Sequence, residues 1–126
     1  MNTTITMLIN GAERTASNGA TFNRTNPLDG QVATTAPAAT PQDAVAAVEA
    51  AAAAFPAWSQ TSPGERRALL LKAAHSLEAK AADFAAAMAA EIGASGIWAG
   101  FNVHLAAGML VEAASLTTQI SGEVIP

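Results

Sequence analysis

Ser62-Pro63-Gly64-Glu65 fixes where a long helix starts, and that start constrains the rest of the chain. In this capping box the serine oxygen accepts an otherwise orphan backbone N–H, while the glutamate three residues on reaches back to the cap. Behind it Leu70, Ala74, Leu77, Ala81, Phe84, Met88 and Ile92 keep the three-or-four spacing of one helical face, and Gly93 is placed to close the helix. The spacing predicts a single helix from Pro63 to Ile92. With 126 residues in all, more than a fifth of the chain is then committed to one amphipathic element that needs a partner to cover its apolar side.

Upstream the pattern changes. From Thr3 to Thr35 β-branched residues are frequent, punctuated by Asn10-Gly11, Asn18-Gly19 and Asp29-Gly30. Glycine in the second turn position accepts positive φ without a steric cost, so such pairs turn hairpins. Short antiparallel strands are expected near Met7–Ile9, Phe22–Thr25 and Gln31–Thr35, with Pro27 beyond the ladder of the second. Thr40-Pro41-Gln42-Asp43 then opens a first helix, with a threonine cap, proline in the first turn and an acid near the positive end of the dipole. Its apolar stripe is Val45, Val48, Ala52, Phe55, and Pro56 is expected to stop it. Ser95 caps a further helix, roughly Gly96–Ile120, with Trp98, Phe101, Leu105 and Met109 along one side. Short strands followed by three helices make an α+β arrangement, and no Pro/Gly/Ser-rich linker divides it.

Charge and composition exclude several function classes. Six basic against ten acidic residues give a net charge of −4, and the cations Arg14, Arg24, Arg66, Arg67, Lys72 and Lys80 are scattered, unlike the clustered positive surface that nucleic acid requires. Without cysteine there is no disulfide framework, thiolate metal site or cysteine nucleophile. Hydrophobic residues make up 51% of the chain, but many are alanine, which favours helix and buries little area. No basic n-region precedes the first apolar stretch, and apolar runs such as Val103–Val111 fall short of the roughly 18 to 20 residues that span a bilayer. A cytoplasmic protein with no membrane and no nucleic-acid partner is the expectation.

The side chains that carry chemistry elsewhere are poorly placed for it here. His75 and His104 have no histidine or carboxylate at chelating spacing. Glu91 and Glu112 lie in the most apolar surroundings of any acid, yet no nucleophile or oxyanion donor accompanies them. Gly93, Gly96 and Gly100 lack both the order of a dinucleotide-binding turn and a preceding strand, so they read as a helix break. The Trp98, Phe101, Leu105 stripe would ordinarily be core.

Taken together, LING at Leu8–Gly11, NPLDG at Asn26–Gly30, the alanine-rich helices, and EIGASGIWAGFNVHLAAGMLVEAASLTTQISGEVIP from Glu91 to Pro126 resemble the amino-terminal part of an aldehyde dehydrogenase. Within that superfamily the pattern is most similar to the aromatic-aldehyde members, the salicylaldehyde and vanillin dehydrogenases. The resemblance runs over nearly the whole chain but over only about the first quarter of such an enzyme. It implies that residues 1–126 are a single partial domain, the amino-terminal part of the NAD(P)-binding domain of an α/β enzyme, with the catalytic domain absent. In such enzymes a cysteine thiolate attacks the aldehyde, hydride passes to the nicotinamide, and a glutamate-activated water hydrolyses the thioester. None of those catalytic residues falls on a position of this chain, so the segment alone is expected to be inactive and to bind no cofactor.

What the resemblance does carry over is a wall. The family helix at this place lines the substrate tunnel, and the matching positions are Trp98, Phe101, Asn102 and Leu105. Aromatic and aliphatic groups there would suit an aromatic aldehyde, with Asn102 offering a hydrogen bond to a ring hydroxyl. The implied partners are the remainder of the enzyme chain, a small aldehyde, NAD or NADP held by the full-length enzyme, and further copies in a homo-oligomer. Two rivals stand beside this reading: a stand-alone helical interaction module, and a segment of a semialdehyde dehydrogenase of the same family.

Overall fold

The computed structural model describes residues 3–125; Pro126, the last residue of the Glu91–Pro126 stretch, lies outside them. In chain order the elements are β1 (Thr3–Thr4), β2 (Met7–Ile9), β3 (Ala12–Arg14), β4 (Thr21–Thr25), β5 (Val32–Pro37), α1 (Pro41–Ser59), α2 (Pro63–Ala79), α3 (Ala81–Ile92) and α4 (Gly96–Leu116). They fall into two compact units. One runs to Gln60 and includes Ala90–Gly93; the other comprises Thr61–Ala89 and the residues from Ala94 onward.

In the first unit β5 is the central strand, parallel to β1 and antiparallel to β4, with an irregularity in register between Arg24 and Thr25. Its inner position explains why Ala33, Thr34 and Ala36 are buried while β4 is exposed throughout. The parallel pairing of β1 was not foreseen, because two residues carry no readable alternation. β2 and β3 form a hairpin in which Asn10 (φ 54°) and Gly11 (φ 72°) both take the left-handed conformation. That is the backbone a two-residue turn needs to match the twist of its strands.

The NPLDG turn joins β4 to β5. Asn26 receives the N–H of Leu28 on its side chain and that of Gly30 on its carbonyl, at 2.9 and 2.8 Å. Gly93 lies against this turn at φ +66°, where an added Cβ would come within 3.1 Å of the Pro27 ring. Two residues back, Glu91 ties the end of α3 to the sheet. It accepts the Thr34 hydroxyl at 2.6 Å and pairs with Arg24 Nε at 3.2 Å. Both carboxylate oxygens are thereby engaged, and Glu91 is a clasp between the sheet and the last turn of α3.

Both anticipated helix starts are present as capping boxes. Thr40 and Ser62 accept the N–H groups of Asp43 and Glu65, and those carboxylates accept the cap N–H groups at 2.8 and 2.9 Å. Ser17 adds its own N–H to Asp43 and shares a 2.9 Å hydrogen bond with the Thr40 hydroxyl, pinning the segment after β3 to the start of α1. The Asp43 pKa is lowered from 3.8, chiefly by the Thr40 N–H and then by that of Ser17; the Glu65 pKa is lowered from 4.5 by the Ser62 N–H. A carboxylate with a depressed folded-state pKa stabilises fully above its unfolded pKa, and that support fades as pH falls through the lower folded value. Helicity followed by circular dichroism is therefore expected to decline below pH 4.5, and less steeply in a variant carrying Asp43→Asn and Glu65→Gln. Equal slopes would show that the boxes do not contribute.

Two expectations about helix ends are corrected. α1 continues through Pro56 to Ser59. Proline lacks only one donor, and the last turn still closes through Gln60 N–H to the Ala57 carbonyl at 3.2 Å. The long helix expected from Pro63 to Ile92 is two helices, so there are four in all rather than three. The break is at Lys80, whose φ of −102° and ψ of 16° leave the helical region and turn its N–H toward the Leu77 carbonyl, three residues back at 3.1 Å. No glycine or proline marks it.

In the second unit α2 and α4 pack along one another. The buried residues are Ala74 on α2 and Ala99, Val103, Ala107 and Ala114 on α4, so the seam is built of small side chains that let the two backbones approach closely. At 21 residues and a mean hydropathy of 1.2, α4 is by length and composition alone sufficient to cross a bilayer, because glycines and alanines bridge the interrupted apolar runs. One flank of it, however, is occupied by α2.

Candidate functional site

Ser95 sets the start of α4 by accepting the Trp98 N–H at 3.3 Å. From that cap the helical pitch, about 3.6 residues per turn, determines which side chains share a flank. Trp98, Phe101, Asn102, Leu105 and Met109 fall together, roughly opposite the buried Ala99, Val103, Ala107 and Ala114. Trp98 is 54% exposed, Phe101 51%, Leu105 47% and Met109 65%. Alanine supplies the packing, and the large residues face outward.

Two features give this flank a defined shape. The Trp98 and Phe101 rings stack with centroids 5.5 Å apart and planes inclined by 25°, presenting a joined aromatic surface. Asn102, half-buried, donates its Nδ2 to the Trp98 carbonyl at 2.8 Å. The four residues singled out from sequence are thus brought together on one flank. Met109 extends it by one turn, and its three-or-four spacing was the available signal. The Asn102 bond had no sequence signal beyond an asparagine four residues from a carbonyl.

The other candidates do not converge. His75, His104 and Glu112 are exposed, and Glu91 is committed to Arg24 and Thr34. Among the described residues there is no group of three His, Cys, Asp or Glu side chains that could hold a metal ion. A separate open cleft of about 230 Å³ in the first unit lies between the hairpin and α1, lined by Leu8, Asn10, Ala47, Ala51 and Ala54 among others. Its lining carries no titratable group. Chemically, then, the α4 flank can stack on a planar ring, and the chain contributes no cysteine nucleophile to it.

This chain is 55% identical over 122 residues to the vanillin dehydrogenase of Pseudomonas sp. strain HR199, a match that covers 97% of this chain and 25% of that protein. A crystal structure of a salicylaldehyde dehydrogenase from Pseudomonas putida G7, complexed with salicylaldehyde, superposes with a TM-score of 0.95 at 47% identity, over 98% of this chain and 26% of that one. PnpE, solved in complex with nicotinamide adenine dinucleotide, gives 0.92 at 32% identity, over 97% and 25%. The chain spans about a quarter of the length of the relatives it matches. With the aldehyde dehydrogenase family pattern matched from residue 14 to residue 126, this chain belongs to the aldehyde dehydrogenase family.

Proposed function

We propose that these residues are the amino-terminal part of the NAD(P)-binding domain of a cytoplasmic aldehyde dehydrogenase that oxidises an aromatic aldehyde, of the salicylaldehyde or vanillin kind, to its carboxylate. The observation that carries the proposal is the outward-facing Trp98–Phe101 stack, with Leu105 one turn beyond it. A planar ring placed against that surface gains area burial and an offset-stacking geometry that a short aliphatic chain cannot use. The relatives named above, with vanillin and salicylaldehyde in their names, support the same substrate class.

The division of labour follows from composition. With no cysteine in the chain, the thiolate that the family reaction requires must come from outside these 126 residues, and the segment alone is expected to oxidise nothing. When bound, NAD or NADP accepts the hydride; PnpE, which was solved with NAD, supports that cofactor for the whole enzyme. What the present residues do is bind and orient. Trp98, Phe101 and Leu105 hold the ring and exclude water from one side of it, and Asn102 is the polar member of the wall. The remaining partners proposed are the rest of the enzyme chain and further copies in a homo-oligomer.

The test is a comparison of kcat/KM for salicylaldehyde, vanillin and a short aliphatic semialdehyde with the full-length enzyme that carries this segment. The aromatic aldehydes are expected to lead by about tenfold or more, on the order of one ring's stacking and burial. Preference for the semialdehyde would overturn the reading.

A further inference from the structure

We infer that Asn10, at the tip of the β2–β3 hairpin, is a site of spontaneous deamidation, and that the fold singles it out from two turns of the same composition. Asn10-Gly11, Asn18-Gly19 and Asp29-Gly30 all lie exposed on the first unit. In each pair the glycine has no Cβ to hinder its nitrogen from reaching the preceding side chain, and the three glycines share a φ of 72°, 71° and 71°. Exposure and sequence do not separate them. Hydrogen bonding does. Asn18 accepts the Ala20 N–H on Oδ1 at 2.9 Å, while the Gly19 N–H donates to the Ala16 carbonyl at 2.8 Å. Asp29 repeats the arrangement, accepting the Gln31 N–H at 2.9 Å while the Gly30 N–H donates to the Asn26 carbonyl at 2.8 Å. An Asx turn thus holds each of these side chains, and the glycine nitrogen beside it is engaged elsewhere. At the hairpin tip neither restraint exists: among the described residues the Asn10 side chain and the Gly11 N–H have no partner. What resists reaction there is the backbone, since Asn10 sits at φ 54° and must relax for its side chain to close onto Gly11. The hairpin yields readily, because β2 and β3 are three residues each and form a sheet of two strands, which is marginal alone and opens locally.

The reaction needs only water. The Gly11 nitrogen, its proton taken by hydroxide, attacks Cγ of Asn10. A bond forms between that nitrogen and Cγ, the bond from Cγ to the side-chain nitrogen breaks, and ammonia leaves with a proton from water. Water then opens the five-membered imide at either of its carbonyls, with no oxidation or reduction at any step. One opening gives aspartate; the other gives isoaspartate, in which the main chain runs through the former side chain and gains a methylene. Both products carry a negative charge where the amide was neutral. The lengthened backbone does not fit a two-residue turn, whose geometry sets the register of its strands. Leu8, Ile9 and Asn10 form the hairpin's side of the open cleft against α1, so that cleft changes with the turn.

The experiment follows the unaltered full-length enzyme during incubation at mildly alkaline pH in water enriched in heavy oxygen, with peptide mapping by mass spectrometry and fragmentation that distinguishes isoaspartate. The peptide containing Asn10 is expected to lose its amide about tenfold faster or more than the one containing Asn18, the scale of the two ordinary hydrogen bonds that Asn18-Gly19 must first release. Aspartate and isoaspartate should both appear at position 10, each with heavy oxygen incorporated. In concentrated urea, where both Asn-Gly pairs are freed, the two rates should converge. Loss at Asn10 no faster than at Asn18 in the folded enzyme would overturn the inference. An excess at Asn10 that persists undiminished in urea would overturn the role given to the fold. Both asparagines belong to one molecule, so no variant has to fold, and no outcome depends on which aldehyde the enzyme oxidises.

Discussion

Replacing Trp98 by alanine in the full-length enzyme is expected to lower kcat/KM for aromatic aldehydes by about ten- to a hundredfold, and for a short aliphatic semialdehyde by less than about threefold. The first figure follows from the roughly 1.5 to 3 kcal/mol that a large apolar side chain contributes when its contact is fully desolvated, at about 1.4 kcal/mol per tenfold. The asymmetry follows from shape. A planar ring meets the whole Trp98–Phe101 surface, whereas a short chain touches only its edge. The fold is expected to tolerate the change, because the residue that packs at this level of α4 is Ala99, fully buried, and not its 54% exposed neighbour. A melting temperature close to that of the unaltered enzyme, with the aromatic rate alone reduced, is the expected pair of results. An equal loss for both substrate classes would show that Trp98 serves general architecture.

The second large effect concerns the 126 residues expressed by themselves. In the other unit, Val45, Val48 and Phe55 of α1 are likewise each more than half exposed, and α1 has no buried residue at all. Full burial of a large apolar side chain is worth roughly 1.5 to 3 kcal/mol, and Trp98, Phe101, Leu105 and Met109 are each about half exposed, so covering all four is worth about 3 to 6 kcal/mol. That sum is comparable to the lower end of the roughly 5 to 15 kcal/mol that stabilises a whole domain. Exposed apolar area on this scale marks a surface that another chain or another part of the same protein covers. In isolation the segment is expected to self-associate and to lose helicity over a broad temperature range. Sedimentation should show a mass that grows with concentration. A monomer that melts sharply in a two-state transition would contradict this.

Local chemistry was the legible part of the fold. Thr40, Ser62 and Ser95 announced three helix starts, because caps are made within four residues and depend on nothing distant. Asn10-Gly11 announced its hairpin for the same reason. The break at Lys80 was not legible, since no glycine, proline or capping residue marks it. Nor was the hairpin partner β3, whose Ala12, Glu13 and Arg14 are exposed and show no alternation. In α4 the membership of the outward flank could be read from spacing, but its direction could not. Both flanks are apolar, and only the structure distinguishes the alanine side, which meets α2, from the aromatic side. The Asn102 bond depends on a side-chain torsion, which no spacing rule reports.

The alanine seam between α2 and α4 has a consequence for how such a segment diversifies. The side of α4 that packs on α2 and the side that carries the aromatic residues lie opposite one another, so a change at position 98, 101, 102 or 105 is expected to leave the methyl groups at 74, 99, 107 and 114 undisturbed. On the proposed substrate-wall reading, preference could be altered on the outer side at little risk to folding, whereas an added methylene on the inner side would crowd the seam.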